Sequence, residues 1–307
     1  MAHLQTPFVT AEEINALCSY EKIIDNQRQV FVNFYSNKAM MGPRAILSQS
    51  DNAQFSYIAR ASENGPTIVK FGTVVPGNSA RDIPVVQTTV AILDATSGSL
   101  KLFLDGEAVT KWRTVCASMA AAIALSNPIK KIAVIGVGHQ GRAHIEAAKS
   151  IFNPEKIIGI SKSTKPANLG SDVEISNDLN RVSECDLIFV CTNASEPVIK
   201  SLLNPGSTCI SIGSFSPMRS EVSVEALSKA DKVFGDDAKT ISEQSGSVVS
   251  TLAKSDRNWK QAQSIGGVYA GKIKGRENEK EVIYYFSVGL GVQDAALADF
   301  ILASGKF

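Results

Sequence analysis

Along the first 110 residues, apolar positions alternate with polar ones or run in short blocks of strand length. The blocks at 29–35, 56–60, 67–75, 85–93 and 100–104 predict extended segments. Turn-forming clusters separate them: Glu63-Asn-Gly-Pro66, Pro76-Gly-Asn78, Ser97-Gly98 and Asp105-Gly106. Leu93–Leu100 reads as a hairpin loop. Ahead of these blocks, Ile14, Leu17 and Tyr20 have helical spacing, and Thr10 with Glu13 forms a capping box. Thr110 predicts the cap of a helix that reaches about Ser126 and is ended by Pro128.

Beyond Pro128 the pattern changes to strand–helix alternation. Apolar blocks at 132–135, 157–161, 186–191, 208–213, 232–235 and 281–286 are separated by helical stretches near 178–184, 223–230 and 237–253. This predicts a doubly wound parallel sheet. A last helix, about 293–303, carries Ala296, Leu297, Phe300 and Ile301 at helical spacing. The first of these blocks runs into Gly136-Val-Gly138-His-Gln-Gly141, and Ile145, Ala148 and Ile151 continue as a helix. Strand, glycine turn and helix in that order suit a dinucleotide. One glycine makes the tight turn, the second admits the pyrophosphate, and the third lets helix and strand pack closely. The helix N-terminus then offers free N–H groups to the phosphates. A plain tight turn is the competing explanation.

Composition narrows the field. The chain has 307 residues, room for about two domains. Lys+Arg is 31 and Asp+Glu 30, so a net charge of +1, with no basic block, argues against nucleic acid or an anionic membrane as partner. The most apolar helical stretch, Val115 to Leu125, is shorter than the roughly 20 residues a bilayer requires. Met1-Ala-His-Leu-Gln-Thr-Pro7 has neither a basic start nor an apolar core, so a cytoplasmic protein without a signal peptide is expected. The five cysteines form no Cys-x-x-Cys pair and are expected as small buried hydrophobes in a reducing compartment. With three histidines (His3, His139, His144), neither a zinc site nor a histidine-based triad is expected.

Three further segments carry candidate chemistry. A dinucleotide fold that selects NAD places a carboxylate on the ribose about 20 residues past the glycines. Here the segment is Ser161-Lys162-Ser163-Thr164-Lys165, hydroxyls and cations that suit a 2′-phosphate, hence NADPH over NADH; a solvated loop is the alternative. Lys111 and Arg113, read as first-turn cations, oppose the helix dipole, which an anion bound by Arg113 and the free N–H groups would resolve. Otherwise both side chains point into water at small cost. Lys70 sits among apolar neighbours in Thr67-Ile-Val-Lys70-Phe71, and Arg44 follows Met41-Gly-Pro43. A buried lysine shifts its pKa downward and can act as an acid–base group, whereas an edge strand would turn Lys70 to solvent.

Nearly the whole chain resembles the ornithine cyclodeaminase and mu-crystallin family. The marks are Pro43-Arg44, Val69-Lys70, Val75-Pro-Gly-Asn78, Leu93-Asp-Ala-Thr-Ser-Gly98, Leu104-Asp-Gly106, Arg113-Thr-Val-Cys-Ala-Ser118, the glycine turn, Gly271-Lys-Ile-Lys-Gly-Arg276 and Phe286-Ser-Val-Gly-Leu-Gly-Val-Gln-Asp294. The resemblance implies a homodimer and a fold in which a Rossmann domain (116–289) is inserted into a mixed α/β substrate-binding and dimerisation domain (1–115 with 290–307). It implies that Arg44, Lys70 and Arg113 surround a substrate carboxylate, with Lys70 hydrogen-bonding that carboxylate or supplying a proton to the imine nitrogen. Cofactor contacts would come from Gly136, Gly138, His139, Gln140 and Gly141. Thr114, Ser287 and Gly289 would lie near the nicotinamide, Ser161, Lys162 and Ser163 at the 2′-phosphate, and Thr192 and Asn193 on the adenosine side. One departure stands out. Cyclodeaminases of the family carry an aspartate after the fifth strand, where this chain has Phe215 in Gly213-Ser-Phe-Ser-Pro217. Phenylalanine cannot accept a proton. The expected reaction is therefore NADPH-dependent reduction of a small amino-acid-derived imine, pyrroline-2-carboxylate or piperideine-2-carboxylate, to proline or pipecolate. The alternatives are an ornithine cyclodeaminase, an alanine or opine-type dehydrogenase, and a non-catalytic protein that binds NADPH and a small ligand.

Overall fold

A computed structural model describes residues 6–81, 83–162, 169–254 and 262–307. In chain order the elements start with β1 (Phe8–Val9), α1 (Ala11–Leu17), α2 (Tyr20–Tyr35), β2 (Met40–Met41), β3 (Ala45–Gln49), β4 (Asn52–Arg60), β5 (Thr67–Val74), β6 (Val86–Leu93), β7 (Leu100–Asp105) and α3 (Gly106–Leu125). They continue with β8 (Lys131–Ile135), α4 (His139–Phe152), β9 (Lys156–Ile160), β10 (Val173–Ser176), β11 (Leu187–Val190), β12 (Thr208–Ser211), α5 (Val224–Ser228) and β13 (Lys232–Gly235). The last are α6 (Ala238–Gln244), α7 (Gly246–Lys254), β14 (Gln263–Ser264), α8 (Ile265–Tyr269), β15 (Ile283–Phe286) and α9 (Gly291–Ala303). They form two compact units: the chain up to Thr114 with Leu290–Phe307, and Val115–Gly289.

The first unit is built on a sheet of order β1-β7-β6-β5-β4-β2, with β3 also paired to β4. Its register creates rows of side chains. Tyr57, Lys70, Val90 and Leu104 face one another across β4, β5, β6 and β7, and all four are buried. Ala59, Ile68, Ile92 and Leu102 form the next row on the same face. Helix α9 covers this face and packs in turn on α2. The approach is close: a Cβ on Gly291 would lie 2.9 Å from the Tyr57 ring. Amides tie the two helices together, Asn26 Nδ2 donating to Ala296 O and the buried Gln27 Nε2 to Gln293 O. Thr10 and Glu13 cap α1 reciprocally, as their spacing predicts.

Two expectations fail here for identifiable reasons. The block at 29–35 is not extended; it is the second half of α2. Its β-branched and aromatic residues favour a strand locally, but Ile23, Ile24, Gln27, Val30 and Phe31 form one buried stripe at helical spacing, and burial overrides propensity. Thr110 does not cap α3. The helix starts one turn earlier, where the Asp105 carboxylate accepts the Ala108 N–H at 2.8 Å. Asp105-Gly106 signals a turn, but Asp is also a strong cap, and Gly106 is needed because a Cβ there would lie 2.6 Å from the Thr88 backbone. Lys111 and Arg113 consequently lie beyond the first turn, and the dipole argument for an anion at that point lapses.

Among the described residues the second unit has eight parallel strands in the order β10-β9-β8-β11-β12-β15-β13-β14. β11, β12 and β15 are buried at every position, and β11 and β15 accordingly read as unbroken runs of apolar and aromatic residues. The strand order reverses between β8 and β11, the switch point where doubly wound sheets take their ligands. The stretch at 237–253 is two helices, broken at Ser245, whose extended backbone ends α6. β10 and β14 went unread because four and two residues show no period.

His144 is fully buried in α4, its Nδ1–H donating to Gln140 O at 2.7 Å while Nε2 has no partner among the described residues. Burial pushes its pKa from 6.5 down to about 4. A base with a depressed native pKa takes up its proton more readily when unfolded. Stability is therefore expected to fall as pH drops from 6.5 towards 4, by about 3 kcal/mol in total. Urea unfolding of His144→Leu at pH 5 and pH 7.5 checks this; equal acid sensitivity in both chains would contradict it.

Candidate functional site

In the first unit the chemistry gathers around one carboxylate. Lys70 points from the middle of β5 to the covered face, and its Nζ lies 2.7 Å from Asp294 Oδ1 and 2.5 Å from Thr110 Oγ1. Thr110 donates its own proton to Gly106 O, leaving its oxygen to accept from the lysine. Tyr57 OH donates to Asp294 Oδ2 at 2.8 Å. Arg113 Nε, buried and without a hydrogen-bond partner among the described residues, is 3.6 Å from Asp294 Oδ1. Arg44 is exposed, its guanidinium carbon 5.6 Å from the centre of the Tyr57 ring. The structure thus brings Arg44, Lys70 and Arg113 together, and β5 is an interior strand, not an edge.

Burial pushes Lys70 below the ordinary lysine value, with Asp294 pulling it back and Arg113 adding to the fall. Burial alone would raise Asp294, but Lys70, Arg113 and the two hydrogen bonds hold it below the usual carboxylate value. Tyr57 is pushed well above 10 by burial and by Asp294, so it stays neutral. Three cations around one carboxylate leave an excess of positive charge, and the lysine ammonium keeps a third N–H beyond its two bonds. The cluster is equipped to hold an anion and to give up a proton. Reasoning on the sequence missed Tyr57 and Asp294. The signal for Asp294 was a carboxylate in the first turn of a helix whose other residues are mostly apolar.

The second unit holds the glycine turn. Gly136 has φ 87°, and a Cβ there would lie 2.5 Å from Cys191 O. A Cβ on Gly141 would lie 1.8 Å from Gly136 O. A Cβ on Gly138 would meet nothing within 4 Å among the described residues, so the backbone at the N-cap of α4 is open towards them. Among the described residues no side chain caps that end and the buried Gln140 Oε1 has no partner, and His139 is exposed there. These features fit a dinucleotide pyrophosphate. Ser161 and the exposed Lys162 follow β9, while Ser163, with Thr164 and Lys165, lies outside the described residues.

Two buried acids support the strand ends of this unit. Glu221 accepts from Thr192 N–H and Oγ1 (2.8 and 2.7 Å), and from Ser211 Oγ and Gly213 N–H (2.7 and 2.8 Å). Burial raises its pKa, and those bonds oppose the rise. Asn193 beside it is exposed. Asp236 holds Val288 and Gly289, next to the buried Ser287. Thr114, the last residue of the first unit, is buried on α3.

A family model matches residues 5–305 and is described as the ornithine cyclodeaminase/mu-crystallin family. The chain belongs to that family. Within it, 95% of the chain aligns at 26% identity with 94% of a Delta(1)-pyrroline-2-carboxylate reductase from Bacillus cereus. A solved reductase of the same name from Thermococcus litoralis, in complex with NADH and L-proline, matches with a TM-score of 0.90 at 23% identity, over 98% of each chain. An archaeal alanine dehydrogenase dimer with bound NAD matches at 0.88 and 25% identity, over 98% of this chain and 97% of that one. Against the cyclodeaminase members, the departure at Phe215 has a physical form: the ring is partly exposed, and the Arg219 guanidinium lies 4.6 Å over it. The acid in the same loop, Glu221, is buried beneath Thr192 and Gly213 and occupied by their donors.

The three glycines of the family turn should behave differently when replaced by alanine. Gly136→Ala and Gly141→Ala collide with backbone and should lose about 3 kcal/mol, read by denaturant unfolding. Gly138→Ala, with an ordinary φ of −74° and open space, should stay within about 0.5 kcal/mol yet weaken dinucleotide binding in a titration.

Proposed function

We propose that the chain is an NADPH-dependent oxidoreductase that reduces a cyclic ketimine carboxylate, pyrroline-2-carboxylate or piperideine-2-carboxylate, to L-proline or L-pipecolate. The observation that carries this is the Lys70–Asp294 pair with Arg113 and Arg44 beside it. Reducing an imine requires one proton on nitrogen and one hydride on carbon. The substrate carboxylate pairs with Arg44 and Arg113 through charge-assisted hydrogen bonds. Lys70, fixed by Asp294 and Thr110, directs its remaining N–H to the substrate and supplies the proton that makes the imine carbon electrophilic. When bound, the reduced nicotinamide supplies the hydride. The residues that would hold it are Thr114, Gly136, Gly138, His139, Gln140, Gly141, Thr192, Asn193, Ser287 and Gly289, with Ser161, Lys162 and Ser163 at the ribose phosphate. The preference for NADPH rests on Lys162 and on the lack of any carboxylate at 161–165. The relatives' names and complexes favour a nicotinamide cofactor and an imine or amino-acid substrate for this chain too.

The functional unit is a homodimer in this reading. The outer face of the first unit's sheet exposes Leu47, Ile58 and Phe71, an apolar set that water does not favour. A second copy covers it. Ile58→Asp should convert the protein to a monomer in sedimentation velocity; an unchanged dimer would exclude this face.

Cofactor oxidation with cyclic imines and with pyruvate plus ammonia, and ammonia release from ornithine with catalytic NAD, test the reaction. The cyclic imines should turn over fastest, and NADPH should bind more tightly than NADH. Lys70→Ala should lower kcat by on the order of 10²–10⁴-fold with cofactor affinity nearly unchanged. Full turnover in that variant would remove Lys70 from the chemistry.

A further inference from the structure

Asp236 follows β13 directly, and the register of β13 on β15 (Gly235 opposite Phe286) sets it beside the chain that leaves β15. The ladder extends one step further, with Asp236 N–H donating to Phe286 O at 3.2 Å. The Asp236 side chain is 2% exposed, and both of its oxygens accept. Oδ2 receives the N–H groups of Val288 at 2.9 Å and Gly289 at 2.8 Å, with Ser287 Oγ at 3.5 Å. Oδ1 receives the Asp237 N–H at 3.1 Å. The held turn is specialised. Gly289 has φ 80°, in the left-handed region, and the chain passes from one unit to the other after it. A buried carboxylate gathering three donors on one oxygen fixes the direction of all three.

We propose that Asp236 is a positioning residue for cofactor binding, holding the Ser287–Gly289 turn in the shape that receives the nicotinamide half of the dinucleotide. The proposal rests on the nicotinamide-dependent reading above, which it deepens by one residue that touches neither substrate nor cofactor. An amide cannot replace the acid. An asparagine accepts on one side only, and its NH₂ group then faces either the Asp237 N–H or the Val288 and Gly289 N–H groups. Protonation weakens the clamp in the same way, by converting one acceptor oxygen to O–H. Burial pushes the Asp236 pKa from 3.8 up to about 7, with the backbone donors opposing the rise and Asp237 adding to it. The segment 286–290 brings no ionisable side chain to it, nor do Gln263 and Ser264, which pair β13 on its other side. Asp237, on its own segment, is the charged neighbour.

The test compares wild type, Asp236→Asn and Ser287→Ala by NADPH titration between pH 5.5 and pH 8.5, alongside amide exchange of Val288 and Gly289 and the kcat and KM for imine reduction. The expected result is that Asp236→Asn weakens NADPH binding and raises its KM about tenfold at pH 8, the loss that follows removal of one charged acceptor, with kcat far less affected. Its Val288 and Gly289 amides should exchange faster. Wild-type affinity should decline as pH falls through about 7, and the variant should lack that step. Ser287→Ala, which keeps both amide bonds, should keep the position of the pH step whatever its absolute affinity. If wild type binds the cofactor but Asp236→Asn matches it in affinity and pH profile, the positioning role is wrong. If wild type binds no nicotinamide dinucleotide at any pH, the functional reading itself is wrong and this role falls with it.

Discussion

The ion pair between Lys70 and Asp294 joins the middle of the first unit's sheet to the C-terminal helix. Both groups are buried, so each alone would be expensive to keep charged; removing one partner of such a pair costs about 3–5 kcal/mol. Together with Tyr57 and Thr110 they satisfy one another. The placement of several elements follows. β5 has to be an interior strand for Lys70 to reach the covered face. α9 has to approach β4 closely enough that Gly291 admits no side chain against Tyr57. α3 has to begin before Thr110, so that this hydroxyl stands one turn in and accepts from the lysine. The carboxylate also lies in the first turn of α9, where the helix dipole favours negative charge.

The second unit solves a related problem with the same kind of group. Loops at the carboxyl ends of parallel strands carry backbone donors that no neighbouring strand satisfies. Glu221 takes those of Thr192 and Gly213, and Asp236 takes those of Val288 and Gly289. The glycine turn needs no acid, because steric limits at Gly136 and Gly141 define it and the open face at Gly138 remains available. The acids of this unit thus shape the chain, while no side-chain cap among the described residues closes the start of α4.

Much of this was legible in the sequence. The parallel sheet showed in apolar blocks because its central strands are buried on both faces, and the glycine spacing located the cradle between β8 and α4. Lys70 was flagged because a lysine among apolar neighbours departs from the usual solvated position. Its partner was not, because 224 residues separate them and no local pattern links a strand lysine to an aspartate at a helix start. The second half of α2 was misread because its residues favour a strand in isolation and only packing on α9 makes them helical. Glu221 and Asp236 were invisible because a carboxylate that accepts main-chain amides leaves no periodic trace.

The central claim is that Asp294 keeps the Lys70 proton available to the substrate. The most direct measurement is the pH dependence of kcat/KM for imine reduction in wild type and in Asp294→Asn. In wild type, activity should decline at alkaline pH as Lys70 deprotonates, below the ordinary lysine value because the residue is buried. Removing Asp294 takes away the charge that raises the lysine, so the alkaline limb should move to lower pH in the variant. An alkaline limb that stays where it is in wild type, with full activity, would contradict the account.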